Sequence, residues 1–321
     1  MIRFRKPALA IALILLAAGS ALAWNQAGHM TTAAIAYDTL KKGNPQALAA
    51  ILAILHEHPH YEKRWANLLS KVTPEDRDEA LFMKAAQWPD DIRDDPDYNH
   101  GEWHYIDYPY KPPGQPASVE TVPPKQPNIE IAFRTNMDVL KKQDSTNAEK
   151  AVALCWLMHL TGDSHQPLHS VTLFTTDFPA PEGDRGGNQE FIRATDGAKP
   201  IKLHKFWDDL VISSLDTREV HKKAIELRAK YPREELDKQP KSVTADDFPK
   251  WIQESFELAK KDAYQFGKLP MSTTAAKAPV LTAAYVANAK ELGERRATLA
   301  GYRMADVLGK LPLSAPAATA K

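Results

Sequence analysis

Apolar residues recur at spacings of three and four in eight segments of the chain, and this period restricts the fold to helices packed on helices. The segments begin at residues 28, 44, 73, 128, 147, 217, 247 and 282. Such a period places apolar side chains on one face of an α-helix, and several segments open with Asn, Thr or Asp at the capping position. Strand-like alternation is confined to QEFIRA (189–194) and PIKLH (200–204). We therefore predict an all-α, mainly helical class.

Two stretches lack the helical period. Residues 108–127 are rich in proline, which lacks an amide hydrogen and has a fixed φ. Residues 175–189 contain three glycines, which allow tight turns. We expect both stretches to be surface loops, and loops of this length in a compact helical domain often line a functional site.

The first 23 residues have the order of a secretory signal peptide. Three basic side chains come first, an apolar run follows, and Ala-Leu-Ala ends the segment. We predict cleavage between Ala23 and Trp24, which makes the mature protein secreted or periplasmic. The apolar run is too short for a comfortable membrane span, and no later stretch approaches about 20 uninterrupted apolar residues, so we expect no membrane anchor.

Composition bounds the mature chain. Removal of the first 23 residues leaves 38 basic and 41 acidic side chains, so long-range attraction to phosphate is weak unless metal ions add positive charge. Cys155 is the only cysteine, which excludes an internal disulfide. Stability must come from the core or from bound metal. We expect one domain over residues 24–312, a flexible tail over 313–321 and a monomer.

The strongest chemical signal is HLTGDSHQPLH, at the end of an apolar helical segment. His159 and Asp163 are four residues apart and project from one helix face, while His169 follows a proline break and can fold back towards them. HKFWDDL repeats the spacing with His204 and Asp208. One such pair alone is as readily a helix surface pair, but two pairs, one inside an apolar segment, predict two metal positions.

The donor types indicate which metal fits. Imidazole nitrogen and carboxylate oxygen without thiolate are the ligands of a zinc ion that stays Lewis acidic and keeps a position for water. Buried histidines and carboxylates are costly unless they are compensated, and a metal ion compensates them.

Six motifs in order, WNQAGH, WPDDIR, WHYID, HLTGDSHQPLH, GDRGGN and LHKFWD, resemble those of the zinc-dependent single-strand-specific nucleases of fungi and plants, the type I nucleases. That family is related to the bacterial zinc phospholipases C, and we take the chain as a bacterial-type member. The resemblance covers nearly all of the chain after residue 23. It implies a single-domain phospholipase C/nuclease-like fold with a trinuclear zinc cluster. The implied activity is hydrolysis of single-stranded DNA or RNA to 5′-phosphomonoesters, together with removal of 3′-phosphates from nucleotides.

The resemblance also implies how three zinc ions are held. The first ion takes Asp90, His104, His159 and Asp163. The second shares Asp163 and takes His29 with the amino nitrogen and carbonyl oxygen of Trp24. The third takes His169, His204 and Asp208.

Substrate contacts are implied in the same way. The resemblance assigns catalytic roles to Asp163, Arg93 and Asn188, and it assigns substrate binding to Tyr105, Asp107 and Asn188. Each of three residues has a plainer alternative: Arg93 as a surface ion-pair partner, Tyr105 as a core residue and Asn188 as a cap of the glycine turn.

The remaining histidines match no ligand motif of the family. HEHPH (56–60) precedes a charged YEKR stretch, and we predict a solvated loop there. His165 lies two residues from Asp163, off the ligand face, which favours a supporting or core role. We expect His100 and His221 at the surface.

Two other functions stay open. A zinc phospholipase C would use the same metals on a lipid headgroup; GDRGGN, HYID and Asp208 disfavour it, since phospholipases usually have glutamate at that last position. A non-catalytic protein whose zinc ions only hold the fold is the second alternative, although eight His and Asp ligands exceed what a chain of this size needs for stability.

Overall fold

Helices dominate the part of the chain that the structure describes. The computed structural model describes residues 24–236 and 245–313. The predicted signal peptide and residues 314–321 of the predicted tail lie outside the described residues. Short strands are few, and the mainly helical class is confirmed.

All eight segments with a helical period contain an α-helix. In chain order the α-helices of the described residues are α1 (Gln26–Gly43), α2 (Pro45–Leu55), α3 (Asn67–Ser70), α4 (Arg77–Asp91), α5 (Ile129–Lys141), α6 (Asn147–Asp163), α7 (Leu203–Asp208), α8 (Thr217–Lys230), α9 (Arg233–Leu236), α10 (Phe248–Leu258) and α11 (Ala283–Leu308). Tyr61–Ala66 and Ala259–Ala263 are π-helical, and Gly101–His104 and Pro167–Ser170 are 3₁₀ turns.

The helix starts follow from local capping. The Thr146 side chain accepts a hydrogen bond from the Glu149 backbone N–H, and the Glu149 carboxylate accepts from the Thr146 N–H, so a capping box starts α6. The Asn25 side chain caps α1 by accepting from Gly28 N, and Asn128 caps α5. Each cap satisfies backbone donors that a helix leaves unpaired at its first turn.

Helix α1 lies between the two parts of the core. It packs against α4, α8 and α11, while α6 packs against α4 and α5. Ala33 and Ala36 belong to the apolar cluster around α6, and Met30 and Ile35 belong to the cluster around α8 and α11. Residues 153–163 of α6 are all buried. Polar groups at the end of α6 therefore lie in the interior, where they need compensating partners.

The strands are short, and Tyr110, Leu173 and Ile192 from three of them belong to the apolar cluster around α8 and α11. The predicted strands QEFIRA and PIKLH are confirmed as the antiparallel pair β3 (Phe191–Ile192) and β4 (Ile201–Lys202). A parallel pair, β1 (Pro109–Tyr110) with β2 (Thr172–Leu173), was not predicted. Apart from β1, residues 108–127 form no helix or strand, and neither do residues 175–189, which confirms both predicted loops.

The prediction of a solvated loop at HEHPH is wrong for two of its three histidines. His56 is exposed, but His58 and His60 are only 3% and 7% exposed. Trp65 and Trp88 pack on His58, and the Trp88 indole N–H donates to His60 Nδ1 at 3.2 Å. Burial lowers the pKa of His58 to about 3. Aromatic partners far along the sequence, which a local pattern does not reveal, exclude water here.

None of the helices in the described part of the chain combines the length and apolar character that a membrane crossing requires.

Gly301 sets the distance between α1 and α11. A Cβ atom at this position would lie 2.6 Å from Ile35 Cβ and 2.8 Å from the Thr32 carbonyl oxygen. We expect Gly301→Ala to lower the free energy of unfolding by about 1–3 kcal/mol, because the two helices must move apart or distort. Thermal and urea unfolding of the zinc-supplied protein measure the change.

Gly43 provides the matched control, since a Cβ atom there meets nothing within 4 Å at the end of α1. Gly43→Ala should leave the stability unchanged or raise it by up to about 1 kcal/mol. Equal stability of the two alanine variants would contradict this account of the helix contact.

Candidate metal centre

Three groups of buried histidines and aspartates meet near the end of α6. Within each group, the candidate ligand atoms lie within 4.8 Å of one another. The groups are His29, His159 and Asp163; Asp90, His104 and His159; and His169, His204 and Asp208. All eight side chains are at most 6% exposed. The structure thus brings together every side chain for which the sequence predicts metal binding.

Local structure positions each member. His29 stands in the first turn of α1, Asp90 in the last turn of α4, and His104 ends the 3₁₀ turn Gly101–His104. His159 and Asp163 occupy the last turns of α6, four residues apart and on one face. His169 lies in the 3₁₀ turn Pro167–Ser170, and His204 and Asp208 lie in α7, so the chain reaches the centre from six separate segments.

Asp163 lies between the first two groups. Its Oδ1 is 3.1 Å from His29 Nε2, while its Oδ2 is 3.2 Å from His104 Nδ1 and 3.4 Å from His159 Nε2. One carboxylate thus presents a different oxygen to each group. Burial raises the pKa of Asp163 well above its ordinary value. A carboxylate buried this completely needs cations against it in order to ionise.

Several polar atoms of the centre are buried without a hydrogen bond among the described residues. They are both ring nitrogens of His29, Asp90 Oδ2, His104 Nε2 and Asp163 Oδ1. Buried polar groups without partners are rare, because no hydrogen bond compensates the free energy of their desolvation. Of these atoms, His29 Nε2 and Asp163 Oδ1 face each other at 3.1 Å, an arrangement that a metal ion would satisfy, so the residues present are suited to binding one.

Backbone carbonyls fix the orientation of three rings. His159 Nδ1 donates to Ala86 O at 2.8 Å, His169 Nδ1 to His104 O at 2.7 Å, and His204 Nδ1 to Gly186 O at 2.5 Å. Because a carbonyl only accepts, the hydrogen of each neutral ring lies on Nδ1 and the lone pair on Nε2. His169 Nε2 and His204 Nε2 then face each other at 3.0 Å, an arrangement that suits a cation.

His29, His104 and His159 are neutral near pH 7. Burial lowers the pKa of His29 and of His159 to about 4, and it lowers the pKa of His104 well below its ordinary value. Neutral imidazole is the form that binds a metal.

Gln166 supports the third group and was not singled out from the sequence. Its Nε2 donates to Asp208 Oδ1 at 2.7 Å, and its Oε1 accepts from Leu168 N. The only sequence signal was its place inside HLTGDSHQPLH, between the two predicted ligands Asp163 and His169.

The first described residues lie against this centre. Trp24 is fully buried, and its indole N–H donates to Gly162 O at 3.1 Å, next to Asp163. Asn25 N donates to Asp208 O at 3.1 Å. Gly162 leaves the room that His29 needs, since a Cβ atom there would lie 2.8 Å from His29 Nδ1. The start of the domain is thus packed between the ends of α6 and α7.

A cleft opens beside the third group. It has a volume of about 420 Å³, and its lining includes Arg93, Tyr105, Asp107, Asn188 and the predicted ligand His204. All four residues predicted to contact phosphate or base therefore face one space that reaches the third group.

The structure meets some of the plainer alternatives for Arg93, Tyr105 and Asn188, which were a surface ion pair, a core position and a cap of the glycine turn. Arg93 donates to Asp90 Oδ1 at 2.6 Å, and its side chain is 19% exposed. It does form an ion pair, but the partner is a candidate metal ligand and not a residue of the open surface. Tyr105 is half-buried rather than a core residue. The Asn188 side chain donates to Arg185 O at 2.9 Å, so it does cap the glycine turn while it lines the cleft.

Asp107 is held by a neighbouring strand. Its Oδ1 accepts from the Thr172 hydroxyl at 2.5 Å, so that within the described residues its second oxygen remains for another donor. Burial raises the pKa of Asp107, and the Thr172 hydrogen bond opposes that rise.

His165 takes the interior position that the sequence predicts, while His100 and His221, expected at the surface, are only partly exposed. His165 is buried, with Nε2 accepting from Arg303 at 3.1 Å, and its backbone oxygen accepts from Arg296. His100 stacks on Trp103 and is half-buried. His221 lies 2.6 Å from Glu79 Oε1 and is 40% exposed.

A mainly helical fold that buries three His/Asp groups near a cleft defines a class of protein whose residues could hold metal ions. Residues 24–312 match the S1/P1 Nuclease family, so the chain belongs to that family. Endonuclease 4 of Arabidopsis thaliana is 24% identical over 92% of this chain and 91% of that protein, and Endonuclease 3 of the same plant is 25% identical over 91% and 90%. These comparisons confirm the family resemblance, and the protein is a nuclease.

Asp184, in the glycine turn GDRGGN, was not singled out from the sequence either. Its carboxylate accepts from Leu173 N, Gly186 N and Gly187 N at 2.7–3.1 Å. Gly186 in turn orients His204 through its carbonyl oxygen. Asp184 is therefore an indirect support of the third group.

Asp184 has a second buried carboxyl beside it. Burial raises the pKa of Asp184 to about 6. Burial and, next, the charge of Asp184 raise the pKa of Glu190 well above its ordinary value, while Lys202 opposes that rise. Tyr264 donates to Asp184, and the charge of Glu190 also acts on Tyr285. Ionising both carboxyls is thus unfavourable in the folded state.

We expect Glu190→Gln to become more stable relative to the wild type as the pH rises. A carboxyl whose pKa is higher in the folded than in the unfolded state stabilises fully below the unfolded pKa of about 4 and loses that contribution as the pH passes the folded value. The variant lacks one such carboxyl. Urea unfolding of both proteins with equal zinc at pH 5, 6, 7 and 8 measures the difference, in which common metal contributions cancel.

Glu120→Gln is the control, since Glu120 is exposed on the proline-rich loop. Its stability relative to the wild type should not vary with pH. If the difference in free energy of unfolding between Glu190→Gln and the wild type were equally constant, the result would show that ionising both carboxyls costs nothing in the folded state.

Proposed function

We propose that the protein is an exported zinc nuclease that hydrolyses single-stranded DNA or RNA to 5′-phosphomonoesters and removes 3′-phosphates from nucleotides. One observation carries this proposal: three buried His/Asp groups meet near the end of α6, and one cleft lined by Arg93, Tyr105, Asp107 and Asn188 reaches the third of them. Membership of the S1/P1 nuclease family supports it.

Three zinc ions fit these groups. The first would be held by Asp90, His104, His159 and Asp163. The second would be held by Asp163, His29 and the amine and carbonyl of Trp24. The third would be held by His169, His204 and Asp208. When bound, zinc supplies Lewis acidity towards phosphate oxygens and lowers the pKa of water. The separate placement of the two Asp163 oxygens supports its role as the shared ligand.

The protein's own residues position the phosphate. Arg93 is held beside Asp90, and the exposed part of its side chain lines the cleft, where its guanidinium can donate to a phosphate oxygen. Asn188 is fixed by its bond to Arg185 O on the turn that also orients His204. Together they hold the phosphate charge near the metal groups.

The base is bound by Tyr105 and Asp107. A half-buried tyrosine ring offers a face on which a base stacks, and the second Asp107 oxygen accepts from the base edge. A base reaches such a pocket only when it is unpaired. Single strands are therefore the favoured substrate, and a mature chain with 38 basic and 41 acidic residues has no positive charge excess for binding a duplex.

Export completes the site in this proposal. Signal cleavage after Ala23 frees the Trp24 amine, and since an α-amino group in a peptide has a pKa of about 8, a metal can displace its proton. The burial of Trp24 against Gly162, one residue before Asp163, supports an N-terminus at the centre. The mature domain of residues 24–312 then acts as a monomer.

We expect the purified mature protein to cleave single-stranded DNA and RNA, to leave 5′-phosphates, and to cleave duplex DNA much more slowly. Treatment with a chelator should abolish cleavage, and added zinc should restore it. Gel assays with end-group analysis measure products, and phosphatidylcholine vesicles are assayed in parallel. Hydrolysis confined to the vesicles would favour a phospholipase C, and a chelator that only unfolds an inactive protein would favour a structural role for zinc.

The zinc content of variants tests the shared position of Asp163. We expect three zinc ions per chain in the wild type, about two in Asp208→Asn and about one in Asp163→Asn, because Asp163 faces two groups and Asp208 faces one. Metal analysis after exhaustive dialysis gives the counts independently of activity. His221→Asn, a histidine outside all three groups, should keep three.

A chain that retains Ala23 tests the terminal amine in the same measurement. Without the free amine of Trp24 it should hold two zinc ions. Equal losses in Asp163→Asn and Asp208→Asn would contradict the shared carboxylate, and three zinc ions in the extended chain would contradict the role of Trp24.

A further inference from the structure

Arg185 has a backbone conformation that residues other than glycine rarely adopt. It stands in the turn 183–188 with φ at 56°, in the left-handed region. Gly183, Gly186 and Gly187 take the other positive φ values of this turn, 58°, 62° and 81°. Glycine adopts such values without strain, whereas a residue with a Cβ does not. The chain thus keeps an arginine at a position where glycine would fit with less strain.

The turn holds the Arg185 backbone from both sides. The Asp184 carboxylate accepts from the N–H groups of Gly186 and Gly187 at 3.1 and 2.7 Å. The Arg185 carbonyl accepts from the Asn188 backbone at 3.3 Å and from its side chain at 2.9 Å. The strained residue is therefore fixed in place.

The Arg185 side chain remains available to a ligand. It is exposed and lines the cleft. Over residues 24–236 and 245–313 its guanidinium forms no hydrogen bond or ion pair, whereas Arg93 is paired with Asp90 at 2.6 Å. A rigid backbone thus presents an uncommitted planar cation to the cleft, a group that binds two phosphate oxygens at once.

Lys125 brings a second positive charge to the same cleft. It is exposed on the proline-rich loop, and its ammonium likewise has no partner among the residues described. The charges of Lys125 and Arg185 both act on Asp107, where they oppose the rise of its pKa caused by burial, and Glu182 acts in the opposite direction. Both cations therefore lie near the proposed base contact.

We propose that Arg185 and Lys125 form a phosphate subsite that binds the phosphodiester next to the scissile one. The proposal rests on the proposed nuclease function, and it makes the preferred substrate an oligonucleotide with at least two phosphates. The mature chain has 38 basic and 41 acidic residues, so it gains phosphate affinity from a local pair of cations rather than from its net charge.

Thymidine trinucleotides with one neutral methylphosphonate linkage provide the test. The neutral linkage resists hydrolysis, so only the other linkage is cleaved and the neutral one marks the flanking position. For the wild type, one of the two isomers should have a KM about tenfold above that of the all-phosphate trinucleotide, with kcat retained. Arg185→Gly should raise the KM of the all-phosphate trinucleotide about tenfold and should no longer distinguish it from that isomer.

Thermal unfolding separates this role from a structural one. Because glycine adopts φ near 56° without a Cβ clash, Arg185→Gly should keep or raise Tm while KM rises. Lys125→Gln should raise KM in the same direction. Glu182→Gln, which removes a negative charge from the cleft lining, should lower KM. Arg134→Gln removes an exposed cation of α5 outside the cleft and should change neither.

The subsite would be refuted if the effects of Arg185→Gly and of the neutral linkage multiplied independently, or if Arg185→Gly lowered Tm and left KM unchanged. A wild type that cleaves no trinucleotide would contradict the proposed function instead. In that case the Kd of fluorescent trinucleotides still reports the subsite, with phosphorothioates as the charged linkages. If Arg185→Gly and the neutral linkage changed Kd independently of each other, that result would also refute the subsite.

Discussion

The structure depends on how the buried carboxylate of Asp163 is compensated. It is fully buried at the end of α6, with one oxygen towards His29 and the other towards His104 and His159. A carboxylate in such surroundings ionises only with positive charge beside it. Yet the imidazoles around it are neutral near pH 7, because burial lowers their pKa values. Bound metal is the compensation that this arrangement fits, and it ties the fold to the chemistry.

The surrounding fold fixes the direction of the ligands. Helix α6 carries His159 and Asp163 on one face, and backbone carbonyls of Ala86, His104 and Gly186 set the tautomers of three rings. Such carbonyls come from distant segments, so each ring is oriented only when those segments are packed. The His/Asp groups are therefore products of tertiary structure, although their members can be recognised in the sequence.

The helices and the membership of the metal groups could be predicted from the sequence, because both leave short patterns. The predicted helix over 147–163 is α6, and the four-residue spacing of His204 and Asp208 holds in α7. The burial of His58 and His60 could not be predicted, because it depends on Trp88 from another helix. The parallel pair of β1 and β2 joins residues over 60 positions apart, which local alternation cannot reveal.

Supporting residues were hidden for a different reason. Gln166 and Asp184 have no spacing that marks a function, and their roles appear only in the bonds to Asp208 and to the glycine turn. That turn combines rigidity with exposure: Asp184 is buried, while Arg185 on the next position is exposed to the cleft. A backbone held this firmly can keep an arginine in a left-handed conformation. The cost is conformational strain, and the proposed use of the side chain in the cleft accounts for it.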